Sequence, residues 1–159
     1  MVGIPNYTLF RRDRLRGKGG GVCAYVRNSI SCSVFVPGSD VESRPSDVEI
    51  LWLVFSLRDC HYFMACCYHP PKPQYNTSVF IDVLSSDIDY INSLYPDAVI
   101  IIAGDFNQLN TSFLDVDHGL VQMVSSPILI AALLIVVILL IRFSSVVRIC
   151  IRVWLLGVC

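Results

Sequence analysis

Two polar residues capable of phosphate chemistry follow an apolar run in the second half of the chain. Asp105 and Asn107 come directly after residues 98–104, AVIIIAG. A carboxylate can hold Mg²⁺ or orient an attacking water, and a neighbouring amide can hydrogen-bond a phosphate without repelling it. Gly104 predicts a sharp backbone turn, after which both side chains can face one crevice at the strand end. Turn chemistry by itself favours a simple Asx turn at this position.

Strands and one helix are predicted to position this motif. The apolar run has no polar alternation, which predicts a strand covered on both faces. Residues 48–57 and 61–69 are rich in β-formers and are separated by a short turn, which predicts an antiparallel pair. From Asn76 onward, apolar residues recur at three- and four-residue steps. This period predicts an amphipathic helix that is capped by Asn76 or Thr77 and ends near Pro96.

The N-terminal part is predicted to form a basic loop followed by a hairpin. Residues 21–29 and 31–36 are typical of strands and are expected to pair with each other. Together, the hairpins, the helix and the buried strand predict a layered α/β (α+β) domain. The segment ahead of them is typical of a solvated loop, and its eight residues from 11 to 18 contain five basic side chains: Arg11, Arg12, Arg14, Arg16 and Lys18.

The overall composition excludes some function classes and points to a boundary. A formal net charge of -1 gives no whole-molecule attraction to phosphates. The seven cysteines show no C-x-x-C spacing, so a zinc site is not expected. The apolar fraction of 54% is high for a soluble domain, and the excess is concentrated beyond Pro127. We therefore predict one domain over residues 1–127 and a separate hydrophobic tail over residues 128–159.

The tail permits three interpretations. Residues 128–141 are fourteen consecutive apolar residues, compared with the ~20 that span a bilayer. The absence of a polar face and the basic flank favour a single C-terminal membrane helix, and hence a membrane location. Strands buried in the domain would also be apolar, although the run exceeds ordinary strand length. A tail produced by a shifted reading frame or an unspliced intron is the third interpretation, and a nuclear or cytoplasmic location is the alternative to the membrane.

Taken in order, the motifs resemble the endonuclease/exonuclease/phosphatase superfamily, specifically the endonuclease domain of non-LTR retrotransposons. The shared features are an arginine-rich segment followed by three glycines and a strand, the Y-x-P-P of residues 68–71, and the G-D-F-N of residues 104–107. The resemblance covers roughly residues 3–127. It implies a two-sheet αββα sandwich that hydrolyses DNA phosphodiesters with Mg²⁺ or Mn²⁺.

The resemblance also implies roles for three residues. Tyr68 would lie near the scissile phosphate. Asp105 would activate or position the attacking water and is the candidate metal ligand, whereas Asn107 would bind phosphate or orient Asp105. From the residues alone, Tyr68 would simply be an aromatic side chain at a strand end that packs on the core.

Departures from the family pattern predict that catalysis is incomplete. The family places an asparagine and a metal-binding glutamate ahead of the arginine-rich segment, but the chain starts only ten residues before Arg11. The family's Ser-Asp-His lies far downstream, so Asp117 and His118 come too early and are expected in a polar loop. Glu49 follows the glycines, so we expect it at a sheet edge or facing solvent.

We therefore expect a domain truncated at both ends with negligible activity. The alternatives are a non-catalytic remnant that associates with membranes through residues 128–141 and a weak nucleic-acid-binding module. The second alternative would use the basic segment and would bind in a salt-dependent way.

Overall fold

The computed structural model describes residues 3–15, 20–38, 44–123, 141–143, 146–148 and 152–156. These residues form a mixed α/β arrangement of strands and two helices. The strands are β1 Tyr7–Asp13, β2 Gly21–Arg27, β3 Cys32–Phe35, β4 Glu49–Leu57, β5 Cys60–Tyr68, β6 Val99–Asp105, β7 Val121–Met123, β8 Ile141–Phe143, β9 Val146–Arg148 and β10 Arg152–Leu156. The helices are α1 Thr77–Leu94 and α2 Ser112–Val116.

Six of the strands form the main sheet, in the order β3, β4, β5, β6, β10, β7. Within it, β5 and β6 are parallel and the other neighbours are antiparallel. A parallel pair needs a crossover connection, and α1 provides it between β5 and β6. Two further two-stranded antiparallel sheets consist of β1 with β2 and of β8 with β9.

Helix α1 confirms the helix predicted from the apolar period. Its N-cap is Asn76, whose side-chain oxygen accepts the Ser78 N–H at 3.1 Å. At the other end the N–H of Tyr95 donates to the Ile91 carbonyl. The buried apolar residues recur every three or four positions, so one stripe of the helix faces the main sheet: they are Phe80, Leu84, Ile88 and Ile91.

Apolar side chains cover both faces of the main sheet. One face packs against α1 and includes Trp52, Phe63 and Ile100. The other face packs against the β1–β2 sheet and includes Leu53 and Ile101. Because β6 contributes buried residues to both faces, the prediction of a strand covered on both sides is confirmed.

The predicted N-terminal hairpin is wrong. Strand β2 pairs with β1, with Tyr7 opposite Arg27, and β3 pairs with β4 in the main sheet. The connection between β2 and β3 carries Ile30, which is buried in the core between the two sheets. Burying that side chain takes the chain from one layer to the other, so β2 and β3 separate.

The predicted antiparallel pair of β4 and β5 is confirmed, and a two-residue turn joins the strands. Its residues, Arg58 and Asp59, have φ values of 49° and 66°. Positive φ at both positions is the geometry that follows the twist of the flanking strands. This hairpin end lies opposite the end of the strands that holds the candidate site.

The described part of the tail contains short strands. The helix predicted over residues 128–141 lies outside the described residues except for Ile141, which begins β8. Strand β10 lies between β6 and β7 in the main sheet. Neither α1 nor α2, the helices of the described ranges, has both the length and the apolar character needed to cross a bilayer. The domain boundary at Pro127 stays a prediction.

Candidate functional site

Three polar residues lie side by side at one end of β4, β5 and β6. The register places Glu49 opposite Tyr68 and Tyr68 opposite Asp105. The first residue of β4 meets the last residue of β5 because these strands are antiparallel, while β5 and β6 end together because they are parallel. Paired residues on adjacent strands point to the same face, which here is the face covered by β1 and β2. We call Glu49, Tyr68 and Asp105 the carboxylate row.

Gly104 does not form the sharp turn that we predicted. It lies within β6, opposite Cys67 on β5. A Cβ at this position would overlap the carbonyl oxygen of Cys67. Glycine therefore allows β5 and β6 to approach closely, which sets Asp105 beside Tyr68. The turn itself occurs at Asn107, whose φ of 46° lies in the left-handed region that asparagine tolerates.

The structure brings the predicted pair Asp105 and Asn107 together in an Asx turn. The half-buried Asp105 accepts the Asn107 backbone N–H at Oδ1 over 3.1 Å, so the turn expected from local chemistry is confirmed. The Asn107 amide donates to the His69 carbonyl at 2.7 Å, and the His69 N–H donates to the Asp105 carbonyl at 2.9 Å. The amide of Asn107 thus joins the ends of β5 and β6.

Tyr68 packs on the core, as expected from the residues alone, and it also contacts an arginine. The Arg14 guanidinium carbon lies 5.9 Å from the Tyr68 ring centroid, and the Arg14 side chain hydrogen-bonds the hydroxyl. Burial raises the pKa of the Tyr68 hydroxyl, and Arg14 opposes this shift. The phenol is therefore neutral near pH 7 and can donate a hydrogen bond.

Glu49 is buried, so the expectation that it lies at a sheet edge or faces solvent is wrong. Only 3% of the residue is exposed. Its Oε1 accepts a hydrogen bond from Arg14 Nε at 2.5 Å, and its Oε2 accepts the Gly21 N–H at 3.0 Å. A buried carboxylate is stable only when paired and hydrogen-bonded. The partners are 35 and 28 residues away in sequence, so no local pattern could have indicated them.

The described part of the basic segment, residues 11–15, is not simply the solvated loop that we predicted. Arg11 and Arg12 belong to β1, where Arg11 is exposed and pairs with Asp13. Arg12 is half-buried and donates from Nη1 to the Ile50 carbonyl at 3.1 Å, while Arg14 binds Glu49. The side chains of Arg12 and Arg14 therefore join β1 and its following loop to β4. Arg16 and Lys18 lie outside the described residues.

Sequence reasoning missed His69, which follows Tyr68 at the end of β5. It is 4% exposed and its ring lies edge-on to Tyr75 and Phe80, with centroid distances of 6.0 and 5.3 Å. Neither ring nitrogen has a hydrogen-bond partner among the described residues. Burial lowers the pKa of His69. The only sequence signal was its position between the tyrosine and the prolines.

Asp117 and His118 lie apart from the carboxylate row. His118 Nδ1 is 3.5 Å from Asp89 Oδ1 on α1, and its ring is nearly perpendicular to that of Phe113 at a centroid distance of 6.5 Å. Asp117 is the C-cap residue of α2. The contact with Asp89 therefore joins the end of α2 to α1.

The carboxylate row does not fit the divalent cation that the resemblance implies. Hard cations such as Mg²⁺ take oxygen ligands, with carboxylates supplying the charge. Both oxygens of Glu49 are already bound, and the Arg14 guanidinium places a positive charge beside the row. Across the described parts of the chain, no three His, Cys, Asp or Glu residues form a group that could hold a metal ion.

No protein-family model matches this chain, and no curated protein matches it either. The chemistry available at the row is a neutral tyrosine hydroxyl held by an arginine, next to one half-buried carboxylate. These groups can hydrogen-bond a ligand. They lack the paired carboxylates with which a protein holds a catalytic metal ion.

Proposed function

We propose that this chain is a catalytically incomplete domain of the endonuclease/exonuclease/phosphatase type, similar to the endonuclease domain of non-LTR retrotransposons. The order of elements supports this: an arginine- and glycine-rich segment, two long strands of which the second ends in Y-H-P-P, a helix, and a buried strand that ends in G-D-F-N. The proposed fold is part of a two-sheet αββα sandwich, and DNA is the partner that the resemblance implies.

The main support for the proposed inactivity is that both carboxylate oxygens of Glu49 already accept hydrogen bonds. Glu49 is the neighbour of Tyr68 in the row and could have joined Asp105 in holding a cation. Instead, it binds Arg14 and the Gly21 N–H. Freeing it for a metal would leave a largely buried guanidinium without its counter-charge, which commonly costs about 3–5 kcal/mol. That cost opposes any rearrangement that would rebuild a two-carboxylate site.

Asp105 is therefore left as a single half-exposed carboxylate. One carboxylate can orient a water, but it cannot by itself supply the electrostatic stabilisation that phosphodiester cleavage needs. The Asn107 amide uses one of its two N–H donors on the His69 carbonyl, so it links the ends of β5 and β6 and brings no charge to the site. We expect hydrolysis at the background rate.

The first experiment is a nicking assay on supercoiled plasmid DNA with the full chain in Mg²⁺ or Mn²⁺. The wild type and Asp105→Ala should both give the same background as buffer, with or without chelator. Chelator-sensitive cleavage that Asp105→Ala abolishes would show an intact active site and would refute the proposal.

A second experiment tests the reason given for inactivity. Mn²⁺ binding to the full chain can be followed by the loss of the free-ion electron paramagnetic resonance signal. The wild type should bind Mn²⁺ weakly, and Arg14→Gln, which releases Glu49, should bind it at least about tenfold more tightly because two carboxylates become available. Arg11→Gln is the matched control and should behave as wild type. Tight binding by the wild type would contradict the argument from Glu49.

Membrane association is a second proposal, carried by the fourteen consecutive apolar residues 128–141. Counted from Ser125, the stretch reaches seventeen residues, which is the lower limit of spanning length, and a segment of this kind favours the membrane. The full chain should then stay in the membrane pellet after an alkaline wash. Recovery in the supernatant would reject this proposal without affecting the first.

A further inference from the structure

The apolar part of the tail begins and ends at strands that pack in the sheets. Residues 124–140 lie between β7, which ends at Met123, and β8, which begins at Ile141. Strand β7 belongs to the main sheet, and β8 contacts β2 of the β1–β2 sheet. The chain therefore leaves the packed strands at Met123 and is back against them at Ile141.

Backbone pairing of β10 places the same limit on the tail. Strand β10 lies between β6 and β7, and Val153 is opposite Ala103 on one side and Met123 on the other. Neighbouring strands are about 4.8 Å apart, whereas the two sides of a hydrocarbon core are about 30 Å apart. A single span between Met123 and Val153 would put these partners on opposite sides of a membrane, so it would remove β10 from the sheet.

Removal of β10 is unfavourable because it uncovers β6 in the middle of the main sheet. Five residues of β6, from Ile100 to Gly104, pair with β10, and all five are buried. A buried backbone needs its hydrogen-bond partners, and β10 supplies them along one side of β6. The sheet therefore favours the arrangement in which both ends of residues 124–140 stay on the same side of a membrane.

We infer that the site end of the main sheet, the end that holds the carboxylate row, rests on an anionic lipid bilayer. Residues 124–140 enter and leave the bilayer there from one side. This inference rests on the second proposal above, membrane association. With about eight residues in each direction, a helical hairpin reaches only about 12 Å, less than half of the ~30 Å core. Asp105 then faces the lipid, and Arg58 and Asp59 at the hairpin end face away from it.

Basic residues at this end of the sheet account for the preference for anionic lipid. Arg142, Arg148 and Arg152 follow the apolar segment in sequence, and basic residues that flank such a segment favour anionic headgroups. Strand β10 begins at Arg152, opposite Gly104 and therefore at the site end of β6. The loop that follows β5 at the same end carries the exposed Lys72. The partner is thus a bilayer that contains anionic lipid.

A disulfide between β7 and β10 tests the geometry in the full chain. Val121→Cys with Leu155→Cys places two thiols directly opposite each other. Opposed residues of antiparallel strands have Cα atoms about 4.5–5.5 Å apart, which a disulfide can bridge. Peptide mapping identifies the bond after oxidation, and flotation measures binding to vesicles of equal parts phosphatidylcholine and phosphatidylserine. We expect the cross-linked chain to bind as the wild type does under the same oxidant.

Val34→Cys with Leu155→Cys is the matched control, because β3 and β7 lie at opposite edges of the main sheet. This pair should not form the bond and should bind vesicles equally with and without oxidant. Binding that is lost when the 121–155 bond forms, and regained on reduction, would show a single span. Failure of that bond to form would show that β10 does not lie beside β7. Either result would overturn the inference.

Charge reversal tests which end of the sheet faces the lipid. Lys72 and Arg58 are both exposed and basic, but Lys72 follows β5 at the site end and Arg58 precedes β5 at the hairpin end. Lys72→Glu should weaken vesicle binding at least about fivefold, as expected for one basic charge near an anionic surface. Arg58→Glu should bind as the wild type does. Equal binding by the two variants would overturn the orientation.

The behaviour of the wild type separates this inference from the proposed functions. If the wild type does not bind vesicles, membrane association and this inference both fail. If it binds, but the 121–155 disulfide abolishes binding, membrane association stands and only this inference fails. The nicking assay depends on neither result.

Discussion

The two ends of the central strands carry the same kind of backbone strain but hold it in different ways. At the hairpin end, Arg58 and Asp59 have positive φ values and are exposed. At the site end, Asn107 also has a positive φ, but its backbone N–H binds Asp105 and its side chain binds the His69 carbonyl. Strain at the site end is therefore offset by hydrogen bonds that join β5 to β6.

At the site end the strained residue therefore contributes hydrogen bonds to the site, whereas at the hairpin end the strained residues only form the turn. Left-handed backbone costs an ordinary residue about 1–2 kcal/mol, and less for asparagine or aspartate. Glycine relieves that strain anywhere, but it also removes the side chain. The same substitution should therefore have opposite effects at the two ends.

The largest effect on stability is expected from Gly104→Ala, which fills the space between β5 and β6. Gly104→Ala places a methyl group onto the Cys67 carbonyl, so the strands must separate and Asp105 must move away from Tyr68. We expect a loss of about 3 kcal/mol or more in the free energy of unfolding, at the upper end of overpacking. Chemical denaturation measures it.

Gly3→Ala is the control for that measurement, because a Cβ at Gly3 meets nothing within 4 Å. It should leave stability unchanged. A Gly104→Ala protein as stable as the control would show that the close approach of the two strands is not required.

His69→Phe should raise the free energy of unfolding, and the gain should be larger at acidic pH than at neutral pH. The ring has no hydrogen-bond partner among the described residues, and leaving a buried polar group unpaired costs about 1–3 kcal/mol. Because burial lowers the pKa of His69 from its usual 6.5, the wild type keeps full stability above that pH and loses it as the pH falls through the lowered pKa.

Unfolding of the wild type and His69→Phe should therefore be compared at pH 7 and pH 5. We expect the variant to be more stable by about 1 kcal/mol at pH 7, with a larger difference at pH 5. A variant whose stability falls in parallel with that of the wild type would mean that His69 is not the residue that titrates.

Asn107→Gly should destabilise the protein by about 1 kcal/mol. Glycine accepts the left-handed backbone, but the hydrogen bond to the His69 carbonyl is lost and the unfolded chain gains freedom. Asn107→Asp tests the same bond, because a carboxylate cannot donate to a carbonyl. Denaturant unfolding measures the stability of both variants. If both are as stable as the wild type, the hydrogen bond from Asn107 to His69 does not stabilise the protein.

The smallest effect, with the opposite sign, is expected at the hairpin end. Asp59→Gly relieves an exposed residue with a φ of 66° and gives the turn the residue type that it prefers. We expect a gain of about 0.5 kcal/mol, the relief of strain minus the entropy of glycine. A thermal unfolding midpoint below that of the wild type would contradict the comparison.

Features that depend on neighbours in sequence could be predicted from the sequence. The apolar period and the Asn76 cap specified α1, and the runs of β-formers specified β4, β5 and β6. The Asx turn from Asp105 to Asn107 was also predictable, because its donor and acceptor are two residues apart. In α1 and the Asx turn the hydrogen bonds that decide the conformation join residues close in sequence, and in the strands the local run of β-formers is itself the signal.

The partners of the site residues were decided only by the tertiary structure. Glu49 is buried because Arg14, 35 residues away, supplies its counter-charge, and Gly104 is required because the Cys67 carbonyl lies against it. The pairing of β2 with β1 likewise depends on where Ile30 is buried. The physical reason is that a charge can be buried only beside a group of opposite charge, and two backbones can approach closely only where no side chain lies between them. Which distant group is present depends on how the layers pack.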